Sequence, residues 1–188
     1  PLIEREGIRL GGSPTLVRSL QNRSIGIGGD SVITVSDGKV KVGPERKGPC
    51  MADGGQYPTL IDALNFSGKA SFADRAKSAE GIKRLASENR LKPELLAEEA
   101  LNFAVSSIRG AIDLLLSEIN QKPVYTIHEM LEGKKIVPEK IYIIGGPAGA
   151  ISSAMSGGTA ITVPEYYEVA NAIGAALART TFETELFS

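Results

Sequence analysis

Two glycine-rich runs and three aspartates hold most of the chemistry that this sequence can offer. The first run is Gly26-Ile27-Gly28-Gly29-Asp30-Ser31. Glycines let a backbone approach a ligand with no Cβ in the way, their N–H groups can bond phosphate oxygens, and Ser31 adds a hydroxyl. The run fits neither the dinucleotide fingerprint, which needs a strand-to-helix transition, nor the P-loop, which needs Gly-Lys-Ser/Thr. A plain hairpin turn at Gly28-Gly29 is the simpler account. The second run, Gly145-Gly146-Pro147-Ala148-Gly149, follows an apolar stretch and precedes small residues suited to a helix. A strand-to-helix junction gathers unpaired N–H groups and the positive ends of peptide dipoles, which suits a phosphate or the edge of an adenosine. A tight turn needing positive φ is the ordinary alternative. The aspartates are Asp30, Asp53 and Asp62: carboxylates beside a phosphate site commonly hold Mg²⁺ through water. Asp62 falls in an expected first helical turn, where capping would also explain it, and Asp53 before Gly54-Gly55 can simply make a turn.

The remaining reactive side chains are single. His128 is the one imidazole and Cys50 the one thiol. Without a visible second ligand or base, a hydrogen-bonded boundary histidine and an inert thiol are expected, and no metal-ligand set is assigned.

The elements that must position these groups follow from residue spacing. Ser24–Ile27, Ser31–Val35 and Lys39–Val42 are β-branched or alternating runs joined by Gly28-Gly29-Asp30 and Asp37-Gly38, which predicts a three-stranded antiparallel meander. Residues 43–57, with two prolines and four glycines, show no period and read as a loop. A short helix opens at Pro58, and Ser71 with Asp74 three residues on resembles a capping box for a second helix. Pro93 begins the longest helix, in which Leu96, Ala100, Phe103, Ile108, Ile112, Leu115 and Ile119 form a core stripe. A short helix around Ile127–Leu131, a strand at Ile141–Ile144, a helix from Ala148 to Met155 and a strand at Ala160–Val163 come next. A final helix runs from Pro164 through Ala178, its Ala172–Ala176 stretch a small-residue face suited to close packing.

Composition narrows the class of function. The 188 residues hold 21 Lys+Arg against 22 Asp+Glu, so no basic excess supports a nucleic-acid partner. No apolar run approaches the roughly 18 residues of a membrane span. A single cysteine excludes an intramolecular disulfide and a thiolate-rich zinc site, which points to a reducing, cytoplasmic setting. The opening Pro1-Leu2-Ile3-Glu4-Arg5 has neither an initiator Met nor the pattern of a signal peptide, and reads as a fragment or a processed chain.

Taken in order, the motifs resemble one family. Thr15-Leu16-Val17-Arg18-Ser19-Leu20, then Ser24 to Ser31, Val42-Gly43-Pro44-Glu45-Arg46, Gly54-Gly55, Pro58-Thr59 and Asp62-Ala63 resemble the catalytic region of the hydantoinase A/oxoprolinase family, which also includes acetone carboxylase subunits. Ile144-Gly145-Gly146-Pro147 and Val163-Pro164-Glu165 through Asn171–Ala176 are similar to its C-terminal part. The resemblance implies the actin-like ATPase and sugar kinase superfamily. The expected fold is α/β, a ribonuclease H-like mixed sheet with an antiparallel three-strand meander, flanked by helices. Residues 1–188 would then form a single ribonuclease H-like domain, with a helical middle at about 71–120. That domain would be the C-terminal half of a larger protein, because the superfamily's Asp-x-Gly-Gly-Thr hairpin occurs nowhere in the chain.

Under that resemblance, Gly28, Gly29 and Ser31 belong to the second phosphate-binding hairpin, and Gly145, Gly146 and Pro147 to the adenosine-side turn. Asn171–Ala176 would be the connecting helix at the hinge, with Asp30 and Asp62 as catalytic carboxylates. Many relatives begin the hairpin turn with Asp where Gly26 stands here, and Asp30 replaces a glycine. The implied activity is ATP-dependent hydrolysis of a cyclic amide such as a hydantoin or 5-oxoproline, with ATP and Mg²⁺ as cofactors. The partners implied are a small-molecule substrate and the missing N-terminal half of the same protein, with homo-oligomerisation left open. A sugar-kinase-like phosphotransferase and a non-catalytic assembly domain that keeps the fold are the alternatives.

Overall fold

The computed structural model describes residues 3–4, 9–10, 13–14, 19–121, 136–155 and 159–178. It is a mixed α/β structure with small sheets and helices, and it divides into two compact units. His128, the expected helix at Ile127–Leu131 and the Thr15–Arg18 part of the first motif lie outside the described residues.

One unit comprises Pro1–Gly26 and Ser106–Val137. Within it β1 (Ile3–Glu4) pairs antiparallel with β4 (Ser19–Leu20), and β2 (Arg9–Leu10) with β3 (Ser13–Pro14). Arg23 forms an ion pair with Glu118, and Asn120 exchanges two hydrogen bonds with the backbone of Ile136.

The other unit, Ile27–Val105 with Pro138–Ser188, holds the second glycine run and the first from Ile27 onward. Its hairpin joins β5 (Ile33–Ser36) to β6 (Lys39–Val42), Ile33 opposite Val42 and Val35 opposite Val40. Asp37 and Gly38 both have positive φ, the primed-turn geometry that matches the strand twist. Val40 and Val42 are buried while Lys39 and Lys41 face water, the period-two alternation of a half-buried strand.

The expected meander has two strands here, not three. Ser24–Ile27 forms no strand, and the free edge beside Ser31–Ile33 is taken by the segment entering the first helix. The Ile33 N–H donates to the Pro58 carbonyl at 2.9 Å, the Leu60 N–H donates to Ser31 at 3.1 Å, and Val32 bridges Thr59. An edge already paired cannot accept another strand.

Helix α1 (Leu60–Phe66) is almost wholly buried, with Leu60 and Leu64 among the largest enclosed side chains. Helix α2 (Arg75–Glu88) packs on it and is capped by Asp74, whose carboxylate accepts from the N–H groups of Ala76 and Lys77. The expected cap at Ser71 is thus displaced by three residues. Asp74 is itself a preferred N-cap, and a positive φ at Ala73 turns the chain immediately before it.

Helix α3 (Pro93–Gln121) starts at the expected proline. Leu96, Ala100 and Ala104 are fully enclosed, whereas the stripe from Ile108 onward is only half-buried. By length and hydropathy α3 is also the one helix among the described residues that could cross a membrane, and its enclosed first half has the ordinary explanation of a core helix.

A parallel pair follows, β7 (Lys140–Tyr142) beside β8 (Ala160–Thr162), connected through α4 (Ala148–Ala154). The last helix, α5 (Ala170–Leu177), begins six residues later than the expected start at Pro164. Tyr166 takes a left-handed φ of 58° and a 3-10 turn, Tyr167–Val169, intervenes. The small-residue face of α5, expected to pack closely, carries no buried residue.

Candidate functional site

The first glycine run is a closed turn, built by its neighbours. The Ser31 N–H donates to the Gly28 carbonyl at 3.1 Å, and the Gly28 N–H donates to the Ser31 hydroxyl at 2.9 Å. Ser31 is buried, so its hydroxyl shapes the turn from inside. The turn is fastened to α1: the Ile61 N–H donates to the Gly29 carbonyl at 3.0 Å, as the Leu60 N–H does to Ser31. Two donors that the first turn of a helix leaves without partners are satisfied by the glycine run.

Only glycine fits at position 29. A Cβ there would stand 2.8 Å from Ile61 Cγ1, and it would reach within 3.8 Å of Pro147 Cδ. The two glycine runs, more than a hundred residues apart in sequence, therefore meet in space. At Gly28, Gly145 and Gly146 the position of a Cβ is open, with no atom within 4 Å. The N–H groups of Gly29, Asp30 and Gly146 donate to no described residue, whereas that of Gly145 donates to the Tyr167 carbonyl at 2.8 Å. Gly145 takes a φ of 102°, as the turn account of this junction requires.

Asp30 projects from the turn, its side chain 30% exposed, and its carboxylate pairs with Arg46 at 2.5 Å. The Val32 N–H, donating to the Glu45 carbonyl at 3.0 Å, holds the loop that carries Arg46 beside the strand. Lys47, next in the chain, pairs with Glu45 and lies over the ring of Tyr57.

Asp62 has a different setting. It is fully enclosed, and its two oxygens accept from five donors. Oδ2 receives the N–H groups of Met51 (3.0 Å) and Thr59 (2.9 Å) and the Thr59 hydroxyl (3.0 Å). Oδ1 receives the Ala52 N–H (3.0 Å) and the Ser78 hydroxyl (2.7 Å). A carboxylate offers about four lone-pair sites, so these donors saturate it. The capping expectation holds for Thr59, but the donors from residues 51 and 52 make Asp62 a three-way anchor among the loop, α1 and α2. Asn65 extends the network, donating to Ser78 and to the Phe72 carbonyl and accepting from the Phe72 N–H.

The loop around that anchor is tightly formed. A Cβ on Gly55 would stand 1.9 Å from the Pro49 carbonyl oxygen, and Gly54 closes a 3-10 turn, Met51–Asp53, with φ 85°. Asp53 is exposed, with its N–H donating to Cys50. Burial pushes the Cys50 thiol up from its ordinary value. A backbone hydrogen bond at Asp53 opposes that shift, and the carboxylates of Asp62, Asp30 and Asp53 add to it. A buried thiol held neutral is a poor nucleophile.

Among the described residues, the N–H groups of Gly29 and Gly146 have no acceptor, and the Asp30 carboxylate has Arg46 as its partner. Sequence reasoning missed Arg46, whose partner lies sixteen residues away and is fixed only by the loop's return to the strand. No group of three or more His, Cys, Asp or Glu side chains that could cage a metal occurs among the described residues. Mg²⁺ that arrives on nucleotide phosphates needs only one or two carboxylates, often through water, and Asp30 fits that demand.

Comparison with known proteins adds one finding: the hydantoinase/oxoprolinase family model matches residues 2–184. No curated protein and no solved structure matches the chain.

Proposed function

Because the chain belongs to the hydantoinase/oxoprolinase family, we propose that it is part of an ATP-dependent hydrolase opening cyclic amides of the hydantoin or 5-oxoproline type. On this reading it is the C-terminal, ribonuclease H-like half of an actin-like ATPase fold, working in the cytoplasm with an N-terminal half of the same protein. The observation that carries the nucleotide assignment is the meeting of the two glycine runs at Gly29 and Pro147. It supports a phosphate site because the open faces of Gly28 and Gly146, and the N–H groups of Gly29, Asp30 and Gly146 that donate to no described residue, fall on those two runs.

In the proposed reaction those N–H groups bind phosphate oxygens and stabilise charge as the phosphoryl group passes to the amide oxygen. ADP leaves as the amide oxygen is phosphorylated, water adds to the activated carbon, the C–N bond of that adduct breaks with the amine as leaving group and the ring opens, and a second water hydrolyses the resulting acyl phosphate to the carboxylate and inorganic phosphate. Mg²⁺, when bound, neutralises developing charge on the transferred group. Asp30 is the residue that would hold the cation. Ser31 holds the turn in shape, and Asp62 positions the loop and α1 without touching substrate.

Calorimetric titration of the chain with ATP and Mg²⁺ tests the assignment, using Gly28→Val and Gly146→Val. At both positions a Cβ meets no atom within 4 Å, so melting temperatures should hold while nucleotide binding weakens at least about tenfold, since a bulky group then occupies the approach to the donors. Absence of binding by the unsubstituted chain, or unchanged binding by both variants, refutes it. Phosphate release from the full-length protein with a set of cyclic amides then identifies the substrate, and the chain alone should stay at background because one wall cannot exclude water.

A further inference from the structure

We propose that Arg46 is the resting counter-ion of Asp30, displaced when a divalent cation arrives with the nucleotide, so that this ion pair sets the cation affinity of the turn. The inference rests on the nucleotide reading above, and it concerns a residue that the reading does not use.

The Asp30 carboxylate plays no part in holding the turn. The turn is closed by backbone groups and by the Ser31 hydroxyl, and fastened to α1 by the amides of Leu60 and Ile61. Asp30 contributes no side-chain hydrogen bond to any of this. Its carboxylate has one partner among the described residues, Arg46. That partner is delivered deliberately by the backbone, through the Val32 N–H on the Glu45 carbonyl. The adjacent cation, Lys47, is engaged elsewhere, 3.2 Å from Glu45 and 4.9 Å from the Tyr57 ring centroid.

The pair is also built to be exchanged. The Arg46 side chain is 69% exposed, and exposed ion pairs hold weakly because water screens them. A guanidinium cannot lose its charge near neutral pH, so Arg46 can release Asp30 only by moving away. A divalent cation concentrates twice the charge at the same oxygen and brings phosphates of its own. Guanidinium and cation then compete for one carboxylate, and by linkage removing the first strengthens the second by the worth of the pair.

The test is a Mn²⁺ titration of the chain at saturating β,γ-methylene-ATP, read by water-proton relaxation. Arg46→Gln should bind Mn²⁺ about two- to fivefold more tightly, the range an exposed pair allows. Arg46→Lys, which keeps the charge, should stay near the parent. In an Asp30→Asn background binding should be weak and indifferent to position 46. Unchanged or weaker Mn²⁺ binding by Arg46→Gln overturns the proposal, as does an equal effect of that substitution with Asp30 replaced. A parent chain that takes up neither nucleotide nor Mn²⁺ overturns the nucleotide reading itself. Nucleotide uptake with Mn²⁺ affinity insensitive to Arg46 overturns this inference alone.

Discussion

Replacing Asp62 by Asn separates an anchoring carboxylate from a catalytic one. Five donors converge on the two oxygens, three on Oδ2 and two on Oδ1. An amide has one oxygen, so the better orientation places it at Oδ2 and turns the NH₂ toward the Ala52 N–H and the Ser78 hydroxyl. The hydroxyl can rotate and accept. The Ala52 N–H cannot, and a buried donor left without a partner costs about 1–3 kcal/mol. Loss of the negative charge weakens the three remaining bonds as well, which brings the expected destabilisation to about 2–4 kcal/mol. For a chain of this length that is on the order of 5–15 °C in melting temperature. Urea unfolding followed by circular dichroism reads the change, and the midpoint should move while the slope holds. Asp62→Ala should be worse, since all five donors lose their acceptor. A loss below about 0.5 kcal/mol for Asp62→Asn, the scale of an ordinary surface change, would refute the saturation argument. Lost turnover at unchanged stability would return Asp62 to the chemistry.

Gly29→Ala should cost about 1–3 kcal/mol by crowding Ile61, as overpacking does, and Ile61→Val leaves the offending Cγ1 in place, so only a shift of the backbone can relieve it. Thermal melts of the single and double variants check this, and full rescue by Ile61→Val would show the contact to be softer than its geometry. Gly55→Ala meets a backbone carbonyl at 1.9 Å and should destabilise more than Gly54→Ala, where the penalty is the left-handed φ of 85°, about 1–2 kcal/mol. Cys50 should resist a thiol reagent at pH 8 until denaturant opens the chain. Its raised thiol contributes stability that is complete below the unfolded-state value of about 8.5 and fades as pH rises through the higher folded value. Stability measured against Cys50→Ala should therefore converge on the alkaline side, and divergence there would contradict the shift.

Local signals in this chain were readable, and those settled by distant partners were not. Asp37-Gly38 makes its hairpin turn and Pro93 starts its helix because both outcomes depend on the backbone preferences of a few adjacent residues. The third strand failed because Pro58–Leu60, some thirty residues downstream, claims the edge it would have used. Asp62 shows the same limit inside one side chain. Its reach to the Thr59 N–H is a short-range cap visible in the spacing, while the donors at Met51 and Ala52 exist only once the loop has folded back. At Tyr166 a left-handed residue interrupts what reads as one helix, and nothing in the sequence marks it.

The fastening of the glycine turn to α1 bears on the order in which this unit assembles. The β5–β6 hairpin closes over a two-residue turn and can form early, as contacts between near neighbours do. The bend at Gly28–Ser31 also closes on short-range bonds, but its tether is long-range, because the amides that grip its carbonyls belong to Leu60 and Ile61. That tether therefore requires the intervening loop to close. The placing of this glycine turn is therefore set less by the hairpin it adjoins than by the start of a helix some thirty residues downstream.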